Sequence, residues 1–70
     1  MIFVTFADDD PDEALVLDSS RSLRDTLYWM HGRGDGYVYR LERLPDGAYG
    51  NDMFIGTISA LREQQASKGQ

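Results

Sequence analysis

Cysteine is absent, which rules out both a disulfide framework and a thiolate-ligated zinc site. Histidine and tryptophan occur once each and proline twice. A lone histidine, His31, has no spacing that ties it to a nucleophile and an orienting carboxylate, so acid–base catalysis finds no constellation here. Long apolar runs are missing too. The N-terminal stretch 2–7 is far below the ~20 residues of a membrane-spanning helix and too short for a signal core. Without cysteine or a signal-like segment, a reducing cytoplasm is the expected location. Bases are absent from the first 18 residues, which hold six acids, so a general nucleic-acid-binding field is not expected.

Seventy residues allow a single domain, residues 1–70, ordinary for a globular fold in its 41% hydrophobic and 27% charged content. So short a chain buries only about 60% of the surface its unfolded form exposes. A partner or a second copy can supply the missing burial, so a homodimer is one expectation. The net charge of −5 is uneven. Residues 1–18 carry −6, residues 19–44 carry five arginines against three acids, and residues 45–70 carry two bases against three acids. An acidic protein of this kind suits a protein partner with a basic surface.

The stretch 19–44 organises the chain. Asp18, Ser19 and Ser20 are acceptors suited to a helix start, and Ser22 with Asp25 forms a second, capping-box-like candidate. Leu23, Leu27 and Met30 then recur at helical spacing, which predicts a helix over 20–31 with those residues inward. Tyr28 and Trp29 fall on the two flanks of that stripe. Gly32 supplies a C-cap, and a basic His31 in the last turn complements the helix dipole. After a glycine-rich turn at 32–36, Tyr37, Tyr39 and Leu41 alternate with Val38, Arg40 and Glu42, the period of a strand with one buried face.

Elsewhere the periodicities predict a central strand at 1–7, apolar on both faces, and an acidic loop at 8–13. An apolar return follows at 14–17, antiparallel to the first strand, with a helix over 12–17 as the alternative. Pro45-Asp46-Gly47 marks a turn, and Gly50-Asn51 a second one. A last strand falls at 53–58, interrupted by Gly56. A short helix over 59–65 begins with Ser59 as cap, and residues 66–70 read as a frayed tail. The order β-β-α-β-β with an optional terminal helix makes an α+β domain: a small antiparallel sheet with one helix packed on a face.

Several motifs are weaker than they look. Arg33-Gly34-Asp35 spells an adhesion tripeptide, but three residues match by chance and a hinge explains them. Gly32, Gly34 and Gly36 follow a helix and precede a strand, the reverse of a phosphate loop. Asp8, Asp9, Asp10, Asp12 and Glu13 lack the spacing of a calcium loop; they make either a solvated loop or an acidic patch that docks on basic residues. Tyr28 and Trp29, bordered by Arg21, Arg24 and Arg33, either widen the core or form an exposed aromatic–arginine contact surface.

In size, in the acidity of 8–13 and in the lack of cysteine, catalytic set and targeting signal, the chain resembles the small phage-encoded anti-CRISPR inhibitors. The resemblance is one of character, without a shared motif, so no functional residue is carried over. It implies action by binding, typically at the positively charged nucleic-acid sites of a guide-RNA effector complex in the host cytoplasm. The five arginines of 19–44 depart from a pure DNA mimic.

These readings combine into a non-enzymatic binding protein, an inhibitor of a nucleic-acid-handling complex, with no cofactor, metal, membrane or direct nucleic-acid partner. Its contact residues are Asp8, Asp9, Asp10, Asp12, Glu13, Arg21, Arg24, Tyr28, Trp29 and Arg33. A self-associating regulator or antitoxin-like subunit is the alternative, and a metal-assisted hydrolase the third reading.

Overall fold

The computed structural model describes residues 1–9 and 15–68, with side chains through residue 66. Four antiparallel strands form one sheet in the order β2-β1-β3-β4, and two helices lie against one side of it. The elements are β1 (Ile2–Phe6), β2 (Val16–Ser20), α1 (Leu23–Trp29), β3 (Tyr37–Arg43), β4 (Tyr49–Thr57) and α2 (Ile58–Lys68). This is the α+β architecture expected, with the optional terminal helix present. Among the described residues no helix is long and apolar enough to cross a membrane.

β1 is central, as its two apolar faces require. It pairs with β2 from Phe3 opposite Ser20 to Phe6 opposite Val16, and with β3 from Ile2 opposite Leu41 to Phe6 opposite Tyr37. The β1–β2 register shifts between Thr5 and Phe6, which leaves Leu17 as an extra residue on β2. Residues paired across a ladder share a face. Phe3, Thr5, Val38 and Arg40 therefore look toward the helices, and Val4, Phe6, Tyr37 and Tyr39 look away. The core gathers Leu27 and Met30 of the α1 segment, Val38 of β3, and Ile58 and Leu61 of α2, with Phe3, Leu23 and Ile55 around them. On the helix-free face, Tyr39 meets Phe6 edge to face at 5.5 Å and Phe54 at 5.3 Å between ring centroids.

Several boundaries differ from the periodic reading, each for a local reason. α1 is shorter than 20–31, because Asp18, Ser19 and Ser20 are taken up by the ladder with Thr5, Val4 and Phe3. The cap is Ser22, whose hydroxyl accepts from the Asp25 amide at 3.1 Å. Met30 ends the helix, so His31 lies beyond the last turn rather than in it. In β3 it is Val38 that is fully buried, while the two tyrosines occupy the opposite, helix-free face. The Pro45-Asp46-Gly47 turn is present, closed by Gly47 donating to the Leu44 carbonyl with φ +88° at the glycine. Gly50-Asn51 does not turn the chain. It lies inside β4, where Asn51 takes a positive φ and the register with β3 shifts between Arg40 and Glu42. α2 starts one residue before Ser59, Thr57 accepts from the Ala60 amide at 3.2 Å, and the helix continues through Lys68, three residues into the tail read as frayed.

Candidate protein-binding surface

α1 has only seven residues, so its exposed side is set by its last turn. Leu27 and Met30 turn into the core, and the residues between them must turn out. Tyr28 is 85% exposed and Trp29 47%. The chain then reverses, and the Arg33 guanidinium lies 3.9 Å from the centre of the Trp29 ring, with its Nε donating to the Trp29 carbonyl at 2.9 Å. The arginine thus satisfies a helix-end carbonyl and stacks on the indole at once. Tyr28, Trp29, His31, Gly32 and Arg33 surround an open groove of about 560 Å³.

A second groove, of about 390 Å³, lies on the other side of Tyr28 and His31, walled by Leu27, Arg62 and Gln65. Arg62 reaches from α2 to donate to the Leu27 carbonyl at 2.7 Å, while its Nη1 lies 3.3 Å from His31 Nδ1. This cation caps the end of α1 in place of the expected His31. No local spacing connects residue 62 to residue 27, and periodicity in α2 only marks Arg62 as off the apolar stripe. Sequence reasoning therefore missed Arg62 and Gln65 as neighbours of Tyr28.

The remaining proposed contact residues are spread out. Arg24 is exposed one turn before Tyr28 on the same side of α1, and Arg21 is exposed in the turn before the helix. Among the described residues, ion pairing is confined to Arg40 and Glu42 at 3.8 Å. Asp8 and Asp9 are exposed, with the Asp8 carboxylate accepting from the Asp9 amide at 2.7 Å. Asp10, Asp12 and Glu13 lie outside the described residues. The Asp9 carbonyl accepts from the Tyr39 hydroxyl at 3.3 Å, and Tyr39 belongs to the helix-free face. The Asp9 backbone thus lies by the face of the sheet opposite α1.

Both charged side chains of Arg33-Gly34-Asp35 are held by this chain itself. Arg33 lies on Trp29, and Asp35 accepts from the Gly36 amide at 2.9 Å, the Ser59 amide at 3.0 Å and the Ser59 hydroxyl at 2.9 Å. Partial burial pushes the Asp35 carboxyl up, but hydrogen bonds from Ser59, Gly36 and Ile58 outweigh it and hold the pKa below the ordinary Asp value. The tripeptide lies in the connection between α1 and β3, and Asp35 ties it to the start of α2. Among the described residues, no three His, Asp or Glu side chains come together as a metal site would need.

Comparison with protein families, characterised proteins and solved structures finds no significant match.

Proposed function

We propose that this chain is a non-enzymatic protein-binding domain that acts as an inhibitor, with the Tyr28–Trp29 ridge as its contact core. One observation carries the reading: two adjacent large aromatics at the end of α1 stand in solvent, one of them already stacked under an arginine. Aromatic and arginine side chains are the residue types that anchor protein interfaces: the aromatics bring large area at low entropic loss, and arginine a planar, stacking, multiply donating cation. The Arg33 stack holds the indole in place before a partner arrives, which lowers the ordering penalty of binding.

The acidic segment has a separate task in this reading. Asp8, Asp9, Asp10, Asp12 and Glu13 steer the domain toward a basic protein surface and do not share the aromatic contact. A nucleic-acid-handling complex, such as a guide-RNA effector, presents a surface of that kind. Affinity capture from lysate with wild-type protein, followed by mass spectrometry, tests the proposal. The captured partner should be lost with Tyr28→Ala/Trp29→Ala and bound more slowly by the fourfold Asn variant of Asp8, Asp9, Asp10 and Asp12. Capture unaffected by the aromatic pair would remove the ridge as the contact core.

A further inference from the structure

Tyr28 and His31 line both grooves at the end of α1. The walls are completed by Trp29, Gly32 and Arg33 in one, and by Leu27, Arg62 and Gln65 in the other. Among the described residues no carboxylate lines either groove, although the chain has 12 acids against seven bases. Of the acids nearest along the chain, Asp35 is occupied by Ser59 and Gly36. Asp25 and Glu63 are exposed and border neither groove. The sign of charge at the ridge is thus opposite to that of the chain as a whole.

Both grooves are rich in hydrogen-bond donors. A guanidinium carries five N–H groups. Among the described residues, Arg33 uses its Nε on the Trp29 carbonyl, and Arg62 uses its two Nη atoms on the Leu27 carbonyl and His31 Nδ1. Arginine only donates, so His31 Nδ1 accepts, and the neutral ring holds its hydrogen on Nε2 as a further donor. The carbonyls at the end of a helix ordinarily repel an anion. Here those of Leu27, Tyr28 and Trp29 already accept from Arg62, the His31 amide and Arg33. What remains is cationic, donating and aromatic.

We infer that the ridge takes an acidic segment of a protein partner, one in which Asp or Glu stands beside apolar side chains. Its carboxylates meet the guanidinium groups of Arg33 and Arg62, whose planar forks match a carboxylate. Its apolar groups cover Tyr28 and Trp29, the large exposed area between the cations. The inference rests on the reading of Tyr28 and Trp29 as the contact core. The partner then presents two signs of charge: a basic surface that attracts residues 8–13, and an acidic segment at the ridge. Nucleic acid also pairs with arginine and aromatics, but its dense phosphates are repelled by a net charge of −5, whereas a short acidic segment brings few charges.

Display selection of random dodecapeptides on the immobilised full chain tests this. Enriched peptides should be net negative, with Asp or Glu next to an apolar residue. A synthetic copy of the leading peptide should bind Arg33→Gln at least about tenfold more weakly than wild type. Its version with Asn and Gln in place of Asp and Glu should lose as much against wild type. That second comparison leaves the protein untouched, so it reads charge even where Arg33→Gln disturbs Trp29. Tyr28→Ala/Trp29→Ala should abolish binding. Enrichment of basic or uncharged peptides, no enrichment, or undiminished binding of the uncharged version would overturn the acidic occupant. In the first and last of these cases the ridge itself stands if the double variant abolishes binding. Acidic peptides that bind the double variant as well as wild type would overturn both readings. Single-stranded oligothymidylate bound more tightly than the peptide, and lost with Arg33→Gln, would overturn the inference in favour of nucleic acid.

Discussion

Asp35 caps a helix to which it does not belong: its two carboxylate oxygens take the amide and the hydroxyl of Ser59, 24 residues further along the chain. The same carboxylate also holds the Gly36 amide, so one side chain fixes the end of the glycine-rich connection and the start of α2. Capping is commonly local; here it links two elements that sequence spacing does not relate.

Asp35→Ala should therefore destabilise the domain by about 0.5–2 kcal/mol, the range for loss of a cap, measured by urea denaturation. The effect should depend on pH. The folded pKa lies below the ordinary Asp value, so between the two the unfolded chain binds more protons and stability rises with pH. The contribution is present above the ordinary value and disappears as pH falls through the folded one. Melts from neutral pH to about pH 2 should show wild type and Asp35→Ala converging only at the acid end.

Ser22→Ala should cost about 1 kcal/mol, since the hydroxyl satisfies the Asp25 amide in a helix of only seven residues. Ser19→Ala, at an exposed position in β2, should change stability by less than about 0.5 kcal/mol. Comparable losses from the two substitutions would contradict the placement of the cap.

Gly36→Ala should be among the most damaging substitutions in the chain. A Cβ there would stand 2.6 Å from Thr5 Cγ2 and 3.3 Å from the Phe6 carbonyl oxygen, against the fully buried Thr5 of the central strand. Overpacking of this kind costs about 1–3 kcal/mol or more. Gly50→Ala meets only the end of the Leu44 side chain, which can move aside, so its denaturation midpoint should shift less.

Trp29→Ala should lower stability by less than about 1.5 kcal/mol, against the 3–5 kcal/mol typical of a buried tryptophan. The loss should include the stack with Arg33, about 0.5–1 kcal/mol at an exposed site. A double-mutant cycle with Arg33→Ala isolates that coupling, and additivity of the two single losses would show that the stack contributes nothing.

The apolar periods of β1 and α1 were legible because each has one dominant environment: β1 buries side chains on both faces, and Leu27 and Met30, with Leu23 beside them, turn into the core. The ends of α1 were less so. Ser19 and Ser20 suit a cap and an edge strand equally well, and only the ladder with Val4 and Phe3 decides between them. Asn51 reads as a turn residue because it tolerates a positive φ, and inside β4 it uses that tolerance for a register shift. At the candidate surface, the outward position of Tyr28 and Trp29 follows from helical geometry. The Arg62 cap on Leu27 and the Asp35 cap on Ser59 do not, since tertiary folding alone joins those pairs.

The place of β1 between β2 and β3 has a consequence for how the chain assembles. β1 with β2, and β3 with β4, are hairpin-like neighbours along the chain, whereas the β1–β3 ladder joins residues as far apart as Ile2 and Leu41. The molecule is two short ribbons zipped along one seam, with α1 in the connection that closes it. That ladder closes the longest loop in the sheet, so the meeting of the ribbons is expected to be a slow step of folding. Substitutions at Thr5 or Val38, which face each other across the seam, should slow folding, while those in the β3–β4 turn should mainly alter unfolding.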